Sequence, residues 1–118
     1  MIQEINGQTG LYGIIGNPVR HTLSPAMHNA AFAELGLNNI YLPFPVLDLE
    51  AGISGLKALG VKGVSVTIPY KEAVIPLLDS IENVAQQIGA VNTIEIKEVD
   101  GQKFVYGSNT DWLGANRA

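Results

Sequence analysis

Residues 11–36 read LYGIIGNPVRHTLSPAMHNAAFAELG, and this stretch sets the fold class. Leu11 to Ile15 is a short apolar run closed by Gly16-Asn17-Pro18, the pattern of a buried strand followed by a turn. From Pro25 to Leu35 the apolar positions Met27, Ala31 and Leu35 recur every four residues and Gly36 supplies a stop, which predicts a helix. Ser24 fits its N-cap and Pro25 its first helical position. A strand, a turn and a helix in this order begin an α/β layered domain with a largely parallel sheet.

The same alternation continues outward. Ile40 to Val46 reads as a second strand, placed at a sheet edge because Pro43 and Pro45 each lack a donor. A helix is expected from about Leu49 to Leu59, with Leu49, Ile53, Leu56 and Leu59 on one face and Gly60 at its end. Val64 to Ile68 is a third strand. Lys71 to Ser80 has helical character interrupted by Pro76, so a kink or two short pieces are expected, followed by another helical turn or two over Ile81 to Gln87. Val91 to Val99 alternates, with Asn92, Ile94 and Ile96 on one face, and Asp100-Gly101 predicts a tight hairpin into Lys103 to Gly107. A helix start is expected from Asp111 toward Arg117.

The chain has 118 residues, which gives room for one core. It is 47% hydrophobic and 15% charged, as a packed domain is. A net charge of −4, with seven scattered Lys and Arg, argues against nucleic acid as a partner. Without cysteine there is neither a disulfide nor a thiolate metal site. His21 and His28 stand seven apart with no third ligand of matching spacing, so no metal is expected. The N-terminus lacks the basic and apolar segments of a signal peptide, and no apolar run nears the roughly 18 residues of a membrane helix. The expectation is a cytoplasmic protein without a membrane partner.

Three segments carry candidate chemistry. In His21-Thr22-Leu23-Ser24-Pro25-Ala26-Met27-His28, two hydroxyls stand at the positive end of a helix, and position 27 is Met where a capping box would place Glu or Gln. Such an end seats a carboxylate or phosphate, with Asn29 turned toward the same opening. Gly13 and Gly16 do not make a dinucleotide loop, because Pro18 follows the turn and the third glycine is missing. In Gly63-Val64-Ser65-Val66-Thr67-Ile68-Pro69-Tyr70-Lys71, Ser65 and Thr67 share one strand face, and Lys71 follows at the C-terminal edge where open α/β sheets bind ligands. The third segment pairs Gly89-Ala90-Val91-Asn92-Thr93 with Ser108-Asn109-Thr110-Asp111, whose carboxylate suits Lys71 if the fold joins them. Each segment alone is also explained as a helix start, a strand end or an Asx-type cap.

Taken together and in order, these motifs resemble the N-terminal substrate-binding domain of the shikimate dehydrogenase family. The likeness spans nearly the whole chain. It implies a three-layer α/β/α sandwich with a mostly parallel mixed sheet over residues 1–111, and residues 112–118 starting the connection to a nicotinamide-binding Rossmann domain. It further implies reversible reduction of 3-dehydroshikimate to shikimate with NADPH, on the route to aromatic amino acids, with NADP or alternatively NAD bound by the other domain. Lys71 would be the catalytic lysine and Asp111 would hold and polarise it. Thr22 and Ser24 would receive the substrate carboxylate, and Ser65, Thr67, Asn92 and Asp111 would face the ring hydroxyls. Thr22 stands where Ser is usual and Ser65 where many members have Asn. The alternatives are therefore a quinate/shikimate dehydrogenase of broader substrate choice and a non-catalytic binder of hydroxylated carboxylates. Residues 1–118 alone are expected to lack dehydrogenase activity and to self-associate through apolar surface.

Overall fold

The computed structural model describes residues 4–111. Six strands form one sheet in the order β2-β1-β3-β5-β6-β4. In chain order the elements are β1 (Gly10–Gly16), α1 (Ser24–Leu35), β2 (Asn39–Pro45), α2 (Leu49–Ala58), β3 (Gly63–Val66), a 3-10 turn (Ile75–Leu77), β4 (Ser80–Ile81), α3 (Asn83–Ile88), β5 (Thr93–Val99) and β6 (Gln102–Ser108). Three of the five strand pairings are parallel, β1 with β2, β1 with β3 and β4 with β6, and β5 runs antiparallel to both neighbours. The sheet is thus mixed, as expected, and β2 takes its edge where the missing donors of Pro43 and Pro45 cost nothing.

Helices lie on both faces. Successive strand residues point to opposite sides, so Ile15 joins the cluster beneath α2 and α3 while Ile14 packs toward α1. The first cluster runs through Ile53, Leu56, Val64, Val66, Val74, Ala85, Val91, Ile94 and Val105, and it is the main core. Burying one such side chain contributes about 1.5–3 kcal/mol. α2 enters it with Ile53 and Leu56, capped at its start by Asp48, whose carboxylate accepts from the Ala51 N–H at 3.1 Å. Leu59, expected on that buried face, lies past the helix end and is exposed.

α1 departs from expectation in two ways. Its apolar stripe of Met27, Ala31 and Leu35 faces away from the sheet. The docked side instead carries Phe32, packed near Tyr12, and Asn29, which gives and receives a hydrogen bond with the Tyr41 backbone at 2.8 and 2.9 Å. Asn29 is scaffold and does not face the anion seat. Nor is Ser24 the N-cap. Leu23 occupies that position in a helical conformation (φ −88°, ψ −7°), whereas a capping side chain needs an extended backbone to reach the amides.

Between β3 and β5 the structure is less regular than the sequence suggests. β3 ends at Val66, and beyond it Thr67 N and Ile68 O bond the end of β1 instead. Residues 71–79 form turns, a bend and a 3-10 turn, with Pro76 near its start, where no interior donor is lost. Ile81 belongs to β4, and α3 begins only at Asn83. Asn92 precedes β5 rather than sharing its apolar face. The hairpin follows the prediction: Asp100 and Gly101 both take positive φ (52° and 79°), the geometry of a two-residue turn matched to strand twist. The expected helix after Asp111 and the connection at 112–118 lie outside the described residues.

Candidate active site

Lys71 and Asp111 meet. They come from the turn after β3 and the segment after β6, and Lys71 Nζ lies 3.8 Å from Asp111 Oδ2. Both side chains remain open to solvent, at 39% and 70%, so the pair contributes little to stability and stays accessible to a ligand. Backbone bonds hold the two segments. Val91 N–H donates to the Lys71 carbonyl at 2.8 Å, and Asn92 N–H to the Ser108 carbonyl at 3.0 Å.

Asn109 sets the position of Asp111. It is buried, its Nδ2 donates to the Ala90 carbonyl at 3.1 Å, and its Oδ1 accepts the Asp111 N–H at 2.9 Å in an Asx turn. The sequence pattern pointed to that turn without a role for it. Asn92, expected over a ring hydroxyl, ties the same segment down: its Oδ1 accepts from Thr110 N at 3.0 Å and from Thr93 Oγ1 at 2.8 Å.

The hydroxyls form a second group. Thr22 Oγ1 accepts the Ser24 N–H at 3.2 Å, so its own proton is left to donate outward. Thr22 and Thr67 line a cavity of about 260 Å³ with Ile14, Val19 and His21. Ser65 meets Tyr41, a residue the sequence reading passed over. The Tyr41 hydroxyl donates to Ser65 Oγ at 2.7 Å. Burial pushes the Tyr41 phenol above its ordinary value of 10, against smaller opposing effects of Ser65 and Ser24, so it remains protonated at neutral pH. His28 stacks flat on its ring, at 4.1 Å between centroids and 5° between planes. One signal could have marked Tyr41: it is the single aromatic-hydroxyl position in the predicted edge strand.

A cavity of about 430 Å³ opens beside α1, between Tyr12, His28, Tyr41, Ser65 and Thr93, and its lining does not include Lys71 or Asp111. The lysine and carboxylate follow the C-terminal side of the sheet, where the chemistry of an α/β domain belongs, and we take that end as the active one. Among the described residues no group of His, Asp or Glu could hold a metal ion. Gly13 and Gly16 do not form a dinucleotide loop either. A Cβ on Gly13 would strike Phe44 and Leu42, and one on Gly16 would strike Thr67 and Val19, so these glycines admit the protein's own side chains rather than phosphates.

Residues 14–94 match the family model for the shikimate dehydrogenase substrate binding domain. The chain belongs to that family. Among curated relatives, the NADP(+) shikimate dehydrogenase of Pyrococcus furiosus is 53% identical over 97% of this chain and 41% of its own length. A shikimate dehydrogenase crystallised with NADP+ superposes with a TM-score of 0.89 at 50% identity, over 98% of this chain and 39% of that one. The shikimate 5-dehydrogenase of Listeria monocytogenes, in complex with shikimate and NAD, gives a TM-score of 0.87 at 40% identity, over 99% and 40% of the two chains. The chain therefore spans about 40% of the length of the relatives it matches. No described helix is long and apolar enough to cross a membrane.

Proposed function

We propose that residues 1–111 form the substrate-binding domain of a shikimate dehydrogenase, with residues 112–118 leading toward the part that binds NADP. The whole protein reversibly reduces 3-dehydroshikimate to shikimate, in the cytoplasm, on the way to aromatic amino acids. One observation carries this reading: in a chain of this family, the Lys71 ammonium lies 3.8 Å from the Asp111 carboxylate across two separate segments.

The chemistry asked of these residues is acid-base. As the substrate carbonyl is reduced, its oxygen becomes an alkoxide and takes a proton from Lys71; in the reverse direction Lys71 receives that proton. Asp111 steadies the ammonium form and orients it, held in turn by Asn109. Thr22 and Ser24 receive the carboxylate, for which Thr22 has a free proton. Ser65, Thr67, Asn92 and Asp111 meet the ring hydroxyls. The hydride source is held outside the described residues, so residues 1–118 alone should show no turnover.

A second reading, a dehydrogenase that also takes quinate, is favoured by Ser65, whose short side chain leaves room at the ring. Steady-state assays of the full-length protein on both compounds with NADP and NAD test the proposal. Higher kcat/KM on shikimate supports it, a quinate preference moves it to the second reading, and no turnover on either overturns both.

A further inference from the structure

β3 ends at Val66 and β6 at Ser108, so neither Lys71 nor Asp111 belongs to a strand and the sheet ladder does not set the distance between them. Both side chains are open to solvent, so their separation is governed by the backbones that carry them. Three hydrogen bonds in series join those backbones. Val91 N–H donates to the Lys71 carbonyl at 2.8 Å, Asn109 Nδ2 donates to the Ala90 carbonyl at 3.1 Å, and Asn109 Oδ1 accepts the Asp111 N–H at 2.9 Å. The Ala90 carbonyl and the Val91 N–H are the two ends of one peptide group. That group is planar and trans, so its oxygen and its N–H point in opposite directions, one toward the segment of Asp111 and the other toward that of Lys71. Its tilt is set just upstream, where Gly89 ends α3 in the left-handed conformation (φ 80°, ψ 22°).

We propose that Asn109 and the Ala90–Val91 peptide form a spacer that fixes the gap between Lys71 and Asp111, which makes Asn109 a positioning residue for the pair and not for Asp111 alone. This rests on the acid-base reading above. A carboxamide suits the task because one rigid plane presents a donor to the Ala90 carbonyl and an acceptor to the Asp111 N–H. Asn109 is buried, so water does not replace either bond when the side chain is cut back. Asn92 Oδ1 still accepts the Thr110 N–H at 3.0 Å, so loss of the Asn109 side chain loosens the segment after β6 without releasing it. A misplacement of about 1 Å between reacting groups costs roughly 10²-fold in rate, while a ligand held by other side chains binds nearly as before.

The test is a cycle of kcat values in the full-length protein with shikimate and NADP, built from Asn109→Ala, Asp111→Ala and the double variant. Asn109→Ala should lower kcat roughly 10- to 100-fold with KM changed far less. Asp111→Ala should also lower kcat, and the double variant should be no slower than the poorer single one, because a spacer has nothing to place once the carboxylate is gone. Asn109→Ser keeps an acceptor for the turn but no donor that reaches Ala90, and it should lose activity as Asn109→Ala does. Thermal melting shows which variants are folded at the assay temperature; where those at Asn109 are not, Gly89→Ala decides. Its methyl meets nothing within 4 Å, so it acts through the strained φ on the peptide that follows, and it should lower kcat roughly 3- to 10-fold at constant KM. Unchanged kcat in folded Asn109→Ala or in its substitute Gly89→Ala, full activity in Asn109→Ser, or losses that multiply in the double variant overturn the spacer. Full kcat in Asp111→Ala overturns the acid-base reading instead.

Discussion

Val64 and Val66 send their side chains into the cluster beneath α2 and α3, whereas Ser65, between them on β3, meets the Tyr41 hydroxyl on the face beside α1. The two faces of one strand thus do different things. Beneath α2 and α3 the apolar cluster is continuous from Ile15 to Val105, with Ile94 and Val74 fully excluded from solvent. Toward α1 the buried apolar cluster among the described residues is only Ile14, Val19 and Tyr41, and the helix is pinned by amide bonds from Asn29. Period-two alternation lets a strand serve stability with one set of residues and ligand chemistry with the next. Polar groups are tolerated on the α1 side because they bond one another or stay open to solvent, which the closed side would not allow.

Substitutions can separate the faces. The largest effect on folding is expected from Ile94→Ala, which empties part of the closed cluster and should cost about 2–5 kcal/mol in chemical denaturation. It should leave substrate affinity of the surviving folded protein nearly unchanged. A loss of affinity matching the loss of stability would show that the faces are not independent. Smaller effects, and of the opposite kind, are expected from Thr22→Val and Ser24→Ala. Each removes a hydroxyl proposed to meet the carboxylate, and a charge-assisted hydrogen bond of about 1.5–3 kcal/mol corresponds to roughly 10- to 100-fold weaker shikimate binding in calorimetry on the full-length protein. Their denaturation midpoints should barely move. If affinity holds in both, the carboxylate sits elsewhere.

What the sequence disclosed follows the same division by range. β1, α1, β2, α2 and the β5–β6 hairpin were legible because their signals are local: apolar period, Gly36 and Gly60 as stops, Pro43 and Pro45 at an edge, Asp100-Gly101 in the turn. Residues 71–82 were not, because tertiary partners hold them. Asp79 exchanges bonds with Val105 through its N–H at 2.9 Å and its carboxylate at 2.7 Å, and the two residues of β4 pair with Tyr106 and Gly107. Two residues have no period to read. The outward turn of Met27 and Leu35 was hidden for a related reason, since a helix docked by Asn29 need not bury its most apolar stripe.

In the candidate site, Thr22, Ser24, Ser65, Thr67, Lys71, Asn92 and Asp111 were all named from motifs. Their grouping was not legible. No spacing shows that Lys71 meets Asp111 forty residues on, or that Ser65 meets a tyrosine from another strand. Tyr41 and Asn109 went unassigned because each acts through a partner distant in sequence.

The central claim is that the open pair, Lys71 with Asp111, carries the proton chemistry. It is tested most directly by steady-state kinetics of Lys71→Ala in the full-length protein, with shikimate and NADP. General acid-base catalysis contributes roughly 10²- to 10⁴-fold, so kcat should fall by that factor while KM changes far less. A variant with the kcat of the unmodified protein, or one that raises KM alone, would contradict the assignment.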